Sequence, residues 1–358
     1  MLGILVLVVA CLSWWMTGRL ASPHSKFFLL DHPNARSLHD VPVPRTGGVA
    51  IIGSALLGLV AAVLLHVTPD ASASNESGLL GWSSLMWILL LTVVLAGVSL
   101  LDDRIGLPVT VRLAAQISAG LILILGIGTS IPTVEVPLLG TVISGPASTT
   151  FSVVLLVWMT NLYNFMDGMD GLAGGMTVAG GVGLAFFAWA GQNGLMAGVA
   201  LLVAGAATGF LIHNFPPARI FMGDVGSIPL GFFFGSLMIL GSRDRLFDLW
   251  VPIILFSPFV ADATVTLIRR VVYGEKIWEA HRSHYYQRAV LLGWGHRRTV
   301  IGEYVLMAVC AGLAALYQQS TESQRLIVLV AWGVILAALM VAVTLAERAI
   351  SRRHVVAG

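Results

Sequence analysis

Long apolar runs separated by short polar stretches dominate the chain. They predict eleven membrane-crossing helices, near residues 1–20, 48–66, 82–100, 111–129, 149–165, 172–190, 195–213, 227–242, 249–270, 299–317 and 326–346. About 20 apolar residues in a helix span the hydrocarbon layer of a bilayer. A transmembrane β-barrel would instead show segments of about ten residues in strict apolar/polar alternation, and these runs do not alternate. One connection does: IPTVEVPLLGTVISG, between the fourth and fifth runs, predicts a small hairpin. VTPDASASNESG, between the second and third, reads as a linker. No internal repeat is visible, which weighs against an inverted-repeat transporter, and residues 1–358 form one polytopic domain.

Composition agrees with this pattern. Of 358 residues, 57% are hydrophobic and only 11% charged, against about 25% charged in a soluble protein; the mean hydropathy is +0.89. The chain is therefore an all-α integral membrane protein. Cys11 and Cys310 lie inside apolar runs and form neither a disulfide framework nor a metal-type spacing.

The net charge of +2 matters less than its distribution. In MLGILVLVVACLSWWMTGRL the positive charge follows the apolar run, which predicts a retained first span with its N-terminus outside, not a cleaved signal. Residues 18–47, 101–112, 213–226, 269–298 and the C-terminal tail then face the cytoplasm. They hold seventeen of the 20 Lys and Arg residues; the other three are Arg243, Arg245 and Arg325. Cytoplasmic loops carry the excess of Lys and Arg, so this orientation is preferred to its reverse. Nearly every unusual polar group falls on the same side.

Five constellations carry candidate chemistry. SLLDDRIGL closes the third run with Asp102 and Asp103. Such a pair is either a solvated helix end or, because adjacent carboxylates repel, the place for a cation such as magnesium, which binds through one or two carboxylates plus substrate phosphates. NLYNFMDGMDGLAGG places Asn161, Asn164, Asp167 and Asp170 at every third position. On a continuous helix these would sweep half a turn, and each Asp precedes a Gly, a turn signal; the helix is expected to unwind here into a polar cavity. In HNFPPARIFMGDVGSIPLGF, Asp224 lies between Gly223 and Gly226, with Ser227 as a plausible N-cap of the next span. Glycines there allow backbone N–H groups to approach a phosphate, and Asn214 and Arg219 add an amide and a cation.

EAHRSHYYQR supplies His281, Arg282, His284 and Arg288 as a cationic cluster interleaved with Tyr285 and Tyr286. An arginine fork suits phosphate. Zinc is disfavoured because oxygen ligands dominate elsewhere. The neighbouring Arg269, Arg270, Arg297 and Arg298 read as contacts to anionic lipid. Finally, DHPNARSLHDVPVPRTGG offers Arg36, His39 and Arg45, as a topological anchor or as the wall of the same anion site. Together these are carboxylates and amides for a hard cation, arginines and histidines for phosphates, and glycines for close approach. That is the inventory of phosphoryl transfer. A cation- or proton-coupled transporter is the rival, but it would place polar groups near the midplane and on both faces. No nucleic-acid partner is expected.

DD at 102–103, NxxNFMDGxDGLAG at 161–174, FMGDVGS at 221–227 and HRSH at 281–284 resemble, in the same order, the polyprenyl-phosphate N-acetylhexosamine-1-phosphate transferases. The resemblance runs from about residue 31 to 290. It implies transfer of a sugar 1-phosphate from a UDP-N-acetylhexosamine to undecaprenyl phosphate, with release of UMP and with Mg2+ (or Mn2+ in its place). It further implies Asp224 as a principal magnesium ligand, Asn164 as the second, and Asp102 and Asp103 as the catalytic or metal-adjacent pair. Asn161, Asp167, Asp170 and Asn214 would contact nucleotide or sugar, Arg112 the lipid phosphate, and Arg45 the substrate anion. His281, Arg282 and His284 would hold the pyrophosphate and sugar, with His284 near the chemistry. The location implied is the bacterial inner membrane with a cytoplasmic active site, and a homodimer is compatible with it. HRSH lacks the three consecutive histidines of the muramyl-pentapeptide branch. It is more similar to the branch that initiates O-antigen and related surface polysaccharides, and within it to enzymes taking 6-deoxy N-acetylhexosamines.

Overall fold

A computed structural model describes residues 1–25, 29–33, 37–67, 81–128, 130–276 and 281–357, with the side chains of 351–357 excepted. The linker expected at 67–78 and Arg36 fall outside the described residues, apart from Val67. The helices are α1 (Leu2–Leu20), α2 (Gly47–Leu64), α3 (Trp82–Ile105), α4 (Val109–Leu121, continued by a π-helical turn to Gly126) and α5 (Pro146–Phe165). Next come α6 (Leu172–Ala190), α7 (Gly194–Asn214), α8 (Asp224–Arg243), α9 (Trp250–Leu255) and α10 (Ser257–Val272). The chain ends with α11 (Tyr285–Ala289), α12 (Gly295–Gln319) and α13 (Glu322–Ala357).

Each of the eleven expected runs contains helix, but among the described residues nine segments are long and apolar enough to cross a membrane. The two that fall short have identifiable causes. α5 is interrupted by polar residues, of which Ser148, Ser152 and Thr160 are buried. The run at 249–270 is broken into α9 and α10 just before Pro258, which has no N–H to donate to the preceding turn. The Ser257 hydroxyl donates to the freed Ile254 carbonyl instead, at 2.6 Å. The expected hairpin is present as β3 (Thr133–Val136) and β4 (Gly140–Ser144), antiparallel and with an irregular register after Val134. A second short pair was not anticipated: β1 (Leu30–Asp31) lies antiparallel to β2 (Val43–Pro44), with Asp31 opposite Val43.

The core is built around α8. Its run IPLGFFFGSLMILG is apolar on every side, as expected of a helix enclosed by others, and 94% of its span is inside the protein, against 11% for α13. Helices cannot be pulled together in lipid by hydrophobicity, so close packing of small residues takes over. Gly48 of α2 meets Gly226 of α8 backbone to backbone, and Gly231 leaves room for the Met159 carbonyl of α5. The large apolar side chains of α1 and α13, such as Leu7, Trp15, Val334 and Leu345, remain exposed and form the outer surface.

Candidate active site

The stretch 44–48 runs alongside 221–222. Phe221 N–H donates to the Pro44 carbonyl (2.7 Å), Gly47 N–H to the Phe221 carbonyl (2.9 Å) and Gly48 N–H to the Met222 carbonyl (2.9 Å). Residue 223 must then turn with φ +71 while the Arg45 carbonyl occupies the space of a side chain, so only glycine fits. α8 starts directly after it. Ser227 is therefore not the N-cap expected from sequence: the helix begins three residues earlier, with Asp224 in its first turn and Gly223 before it. Gly226 likewise serves the contact with Gly48. The stretch 44–48 thus lies against the turn that precedes Asp224.

Asp224 is the centre of the arrangement. Its Oδ1 accepts from Asn164 Nδ2 at 2.8 Å, and the same amide nitrogen reaches Ser227 Oγ at 3.1 Å. Its Oδ2 lies 3.7 Å from Arg112, whose guanidinium also binds Asp102 Oδ2 at 2.9 Å. Gly106, in the left-handed conformation (φ +67), ends α3, and Leu107 N–H then donates to Asp102 Oδ1 at 2.7 Å. Neighbours on a helix point about 100° apart, so Asp103 faces elsewhere: Arg45 holds its carboxylate at 3.3 Å and its carbonyl at 3.0 Å. The adjacent carboxylates are thus two separate ion pairs. Asp103 nevertheless stays within electrostatic reach of Asp224, and its Oδ2 is buried without a partner.

α5 ends at Phe165 and α6 begins at Leu172, so the backbone unwinds where the Asp-Gly pairs predicted. Asp167, between them, accepts from Gly223 N–H at 3.1 Å. Desolvation, then the nearby Asp224 charge, pushes it well above the ordinary carboxylate range. Three residues expected to contact nucleotide or sugar have other partners. Asn161 Nδ2 donates to Gln116 Oε1 (2.7 Å) and the Val157 carbonyl (2.8 Å), tying α5 to the α4 face that carries Arg112 one turn earlier. Asn214 is buried and pins Gly171 N–H and the Ile220 carbonyl, both at 2.9 Å. Asp170 accepts from Ala218 N–H at 2.9 Å with one oxygen and faces His296 Nδ1 at 3.1 Å with the other. These side chains shape the loops around the carboxylates.

The loop at 281–288 packs on the end of α5. Tyr286 Oη donates to the Phe165 carbonyl (3.1 Å) and approaches Gly168 so closely that no Cβ fits there. The His284 ring stacks on Phe165 with centroids 6.2 Å apart. The cationic cluster expected here dissolves in part. Burial, then His284 and Arg270, lowers His281 to about 4, so its ring is neutral at physiological pH. Arg288 is buried against α13, binding Glu347 and Thr344, and stacks over Tyr285. Arg282 is exposed. Arg270 is buried too, bonded to Glu275 at 2.8 Å and the Lys276 carbonyl at 2.7 Å; it is not the lipid contact expected of it.

Among the described residues no three His, Cys, Asp or Glu side chains are grouped closely enough to hold a metal by themselves. Magnesium does not need such a cage, since it binds through one or two carboxylates and completes its shell with waters and phosphate oxygens. The unpartnered Asp103 Oδ2, beside Asp224 and in an all-oxygen donor set, fits that mode.

Residues that sequence reasoning passed over include Asp31, within electrostatic reach of Asp167, as well as Gln116, His296 and Asp262. Asp262 accepts from His284 Nδ1 at 3.1 Å. It lies inside the predicted run 249–270, and an ionisable residue in a membrane helix is a functional signal in its own right.

Arginines and carboxylates gather where several helices end, with an amide and glycine turns around them, a set of groups chemically suited to phosphorylated substrates. The chain matches the family model described as Glycosyl transferase family 4 over residues 85–242. It is 32% identical to the "Probable undecaprenyl-phosphate N-acetylglucosaminyl 1-phosphate transferase" of Bacillus subtilis (strain 168), over 78% of this chain and 75% of that protein. It is 30% identical to the decaprenyl-phosphate N-acetylglucosaminephosphotransferase of Mycobacterium tuberculosis (strain ATCC 25618 / H37Rv), over 88% and 82%. It is 28% identical to the phospho-N-acetylmuramoyl-pentapeptide-transferase of Mycobacteroides abscessus, over 75% and 82%. The chain belongs to the polyprenyl-phosphate N-acetylhexosamine-1-phosphate transferase family, of glycosyl transferase family 4 type.

Arg112 holds the carboxylates of two helices at once. Arg112→Lys keeps the charge but loses the planar fork. It is expected to lower kcat/KM by about 100-fold, or roughly 3 kcal/mol, in a steady-state assay of polyprenyl phosphate turnover.

Proposed function

We propose that the protein transfers an N-acetylhexosamine 1-phosphate from a UDP-sugar to undecaprenyl phosphate, releasing UMP, as the first membrane step of a surface polysaccharide. One observation carries this reading: Arg112 joins Asp102 of α3 to Asp224 of α8, Asn164 donates to Asp224, and Asp103, paired with Arg45, stays within electrostatic reach of Asp224. The placement of seventeen of the 20 Lys and Arg residues supports a site on the cytoplasmic side of the inner membrane. Asp224 and Asp103, with the Asn164 Oδ1, would hold Mg2+, or Mn2+ in its place. When bound, the ion neutralises charge on the diphosphate.

The protein's own groups bind and orient. Arg112 and Arg45 offer cations to the two phosphate groups, and the wall at 44–48 keeps the glycine turn and Asp224 in place. A phosphate monoester has a second pKa of about 6, so the lipid phosphate is mostly a dianion and attacks without a strong base. Its oxygen bonds to the β-phosphorus as the bond to the bridging oxygen breaks and UMP departs. Trapping of β-phosphate label on the protein in the absence of lipid would refute this direct route.

Two of the three relatives above, including the one of highest identity among them, are named for N-acetylglucosamine, so UDP-N-acetylglucosamine is the first donor to test, ahead of the 6-deoxy sugars and the O-antigen role that the HRSH resemblance implies. The muramyl-pentapeptide reading is not favoured, because HRSH lacks that branch's histidine run. The test is UMP release by purified protein with undecaprenyl phosphate, Mg2+ and a panel of UDP-sugars. Turnover with one or more simple UDP-N-acetylhexosamines is expected; turnover with UDP-MurNAc-pentapeptide alone would overturn the assignment.

A further inference from the structure

Asp262 has no part in the chemistry described so far, yet it is one of the most heavily bonded side chains in the molecule. It lies on α10 at 5% exposure. Its Oδ1 accepts from His284 Nδ1 (3.1 Å), Tyr285 N–H (3.0 Å) and Thr266 Oγ1 (3.1 Å), and its Oδ2 from Tyr286 N–H (3.0 Å). Three of these four donors come from one short stretch, residues 284–286. A carboxylate in a membrane helix is costly, and here its bonding capacity is directed at the loop that carries His284.

The consequences reach the site by two routes. Both oxygens of Asp262 already accept from backbone N–H groups, so the carboxylate is the acceptor toward His284 as well; the hydrogen between the two side chains sits on His284 Nδ1, and Nε2 is the ring nitrogen left for other partners. The carboxylate therefore sets both the tautomer and the plane of the ring. The same grip places Tyr286, whose hydroxyl bonds the Phe165 carbonyl. It also lays the His284 ring on the Phe165 ring. Phe165 is the last residue of α5, one beyond Asn164 and two before Asp167. Asp262 thus joins α10, the 281–288 loop and the carboxylate-bearing end of α5.

We infer that Asp262 is a positioning residue, holding His284 in one tautomer and docking the 281–288 loop onto the end of α5, where the diphosphate is handled. This rests on the transferase reading, and it assigns a function to a residue that no motif contains.

The experiment compares wild type, Asp262→Asn, Asp262→Glu, His284→Gln and the double variant Asp262→Asn/His284→Gln. Each is assayed for kcat and for KM toward UDP-N-acetylglucosamine and undecaprenyl phosphate. Hydrogen–deuterium exchange over residues 281–289 is measured in parallel. Asp262→Asn keeps the size of the side chain and is expected to lower kcat by about 10- to 100-fold, by analogy with the range for groups that orient metal-ligating histidines. Both KM values should stay within about threefold. His284→Gln should give a similar loss, the double variant should be no worse than the poorer single one, and Asp262→Glu should recover part of the rate. Exchange at 281–289 should rise in Asp262→Asn.

Losses that multiply in the double variant, or a wild-type kcat in Asp262→Asn, would overturn the positioning role while leaving the transferase reading intact. A wild type without turnover on any UDP-sugar would sink both. If the asparagine variant fails to accumulate, Asp262→Glu decides: unchanged exchange at 281–289 together with unchanged kinetics refutes the proposal.

Discussion

Replacing Asp224 by asparagine is expected to lower kcat by about 10³-fold or more, with the fold intact. The substitution keeps the shape and one oxygen for the Asn164 amide (2.8 Å), but removes the charge that faces Arg112 and that would face the proposed divalent ion. Stabilising a transferring phosphoryl group through a metal amounts to several kcal/mol, and each 1.36 kcal/mol is about tenfold in rate. The structural cost is small by comparison. An acidic residue in the first turn of a helix contributes roughly 0.3–1 kcal/mol through the helix dipole. Steady-state kinetics beside a thermal melt in detergent checks both halves; wild-type kcat in the variant would remove Asp224 from the site.

The second large effect is on the fold. Gly48→Ala is expected to destabilise the protein by about 3 kcal/mol, the upper part of the range for overpacking a core, and to lower the yield of folded protein. The new methyl group would collide with the backbone of Gly226, and a backbone cannot swing aside as a long side chain can. Parting α2 from α8 would also strain the three backbone hydrogen bonds between 44–48 and 221–222 that hold the turn before Asp224. Gly97→Ala, at a position with open space around it, is the control and should melt like wild type. Equal melting temperatures for the two variants would show that the α2–α8 contact is not as close as described.

Much of this was legible in the chain itself, for physical reasons that differ from place to place. Apolar run length located the helices because the bilayer sets a minimum length, and it fell short only where Pro258 broke a run and where α5 mixed polar with apolar residues. The unwinding at 166–171 was legible because Asp-Gly pairs favour turns. Tertiary pairing was not legible. Asp102-Asp103 reads as a repelling dyad, and only the approach of Arg45 and Arg112 from other segments shows two independent pairs. Asn161, Asp170 and Asn214 are substrate contacts by family resemblance, but the partners they have here (Gln116, Ala218, Ile220 and His296) lie on helices and loops that sequence position does not reveal. Asp262 was hidden by its apolar surroundings, and His281 by the assumption that a histidine among arginines is charged.

The central claim is that carboxylates of α3 and α8 act together on one diphosphate through a bound divalent ion. Electron–nuclear double resonance with Mn2+ as the probe, on the protein-bound ion in the presence of UDP-N-acetylglucosamine, addresses it directly. A 31P hyperfine coupling in wild type that disappears in Asp224→Asn and weakens in Asp103→Asn is the predicted result. Mn2+ bound without phosphorus coupling, or a coupling unchanged in both variants, would contradict the account.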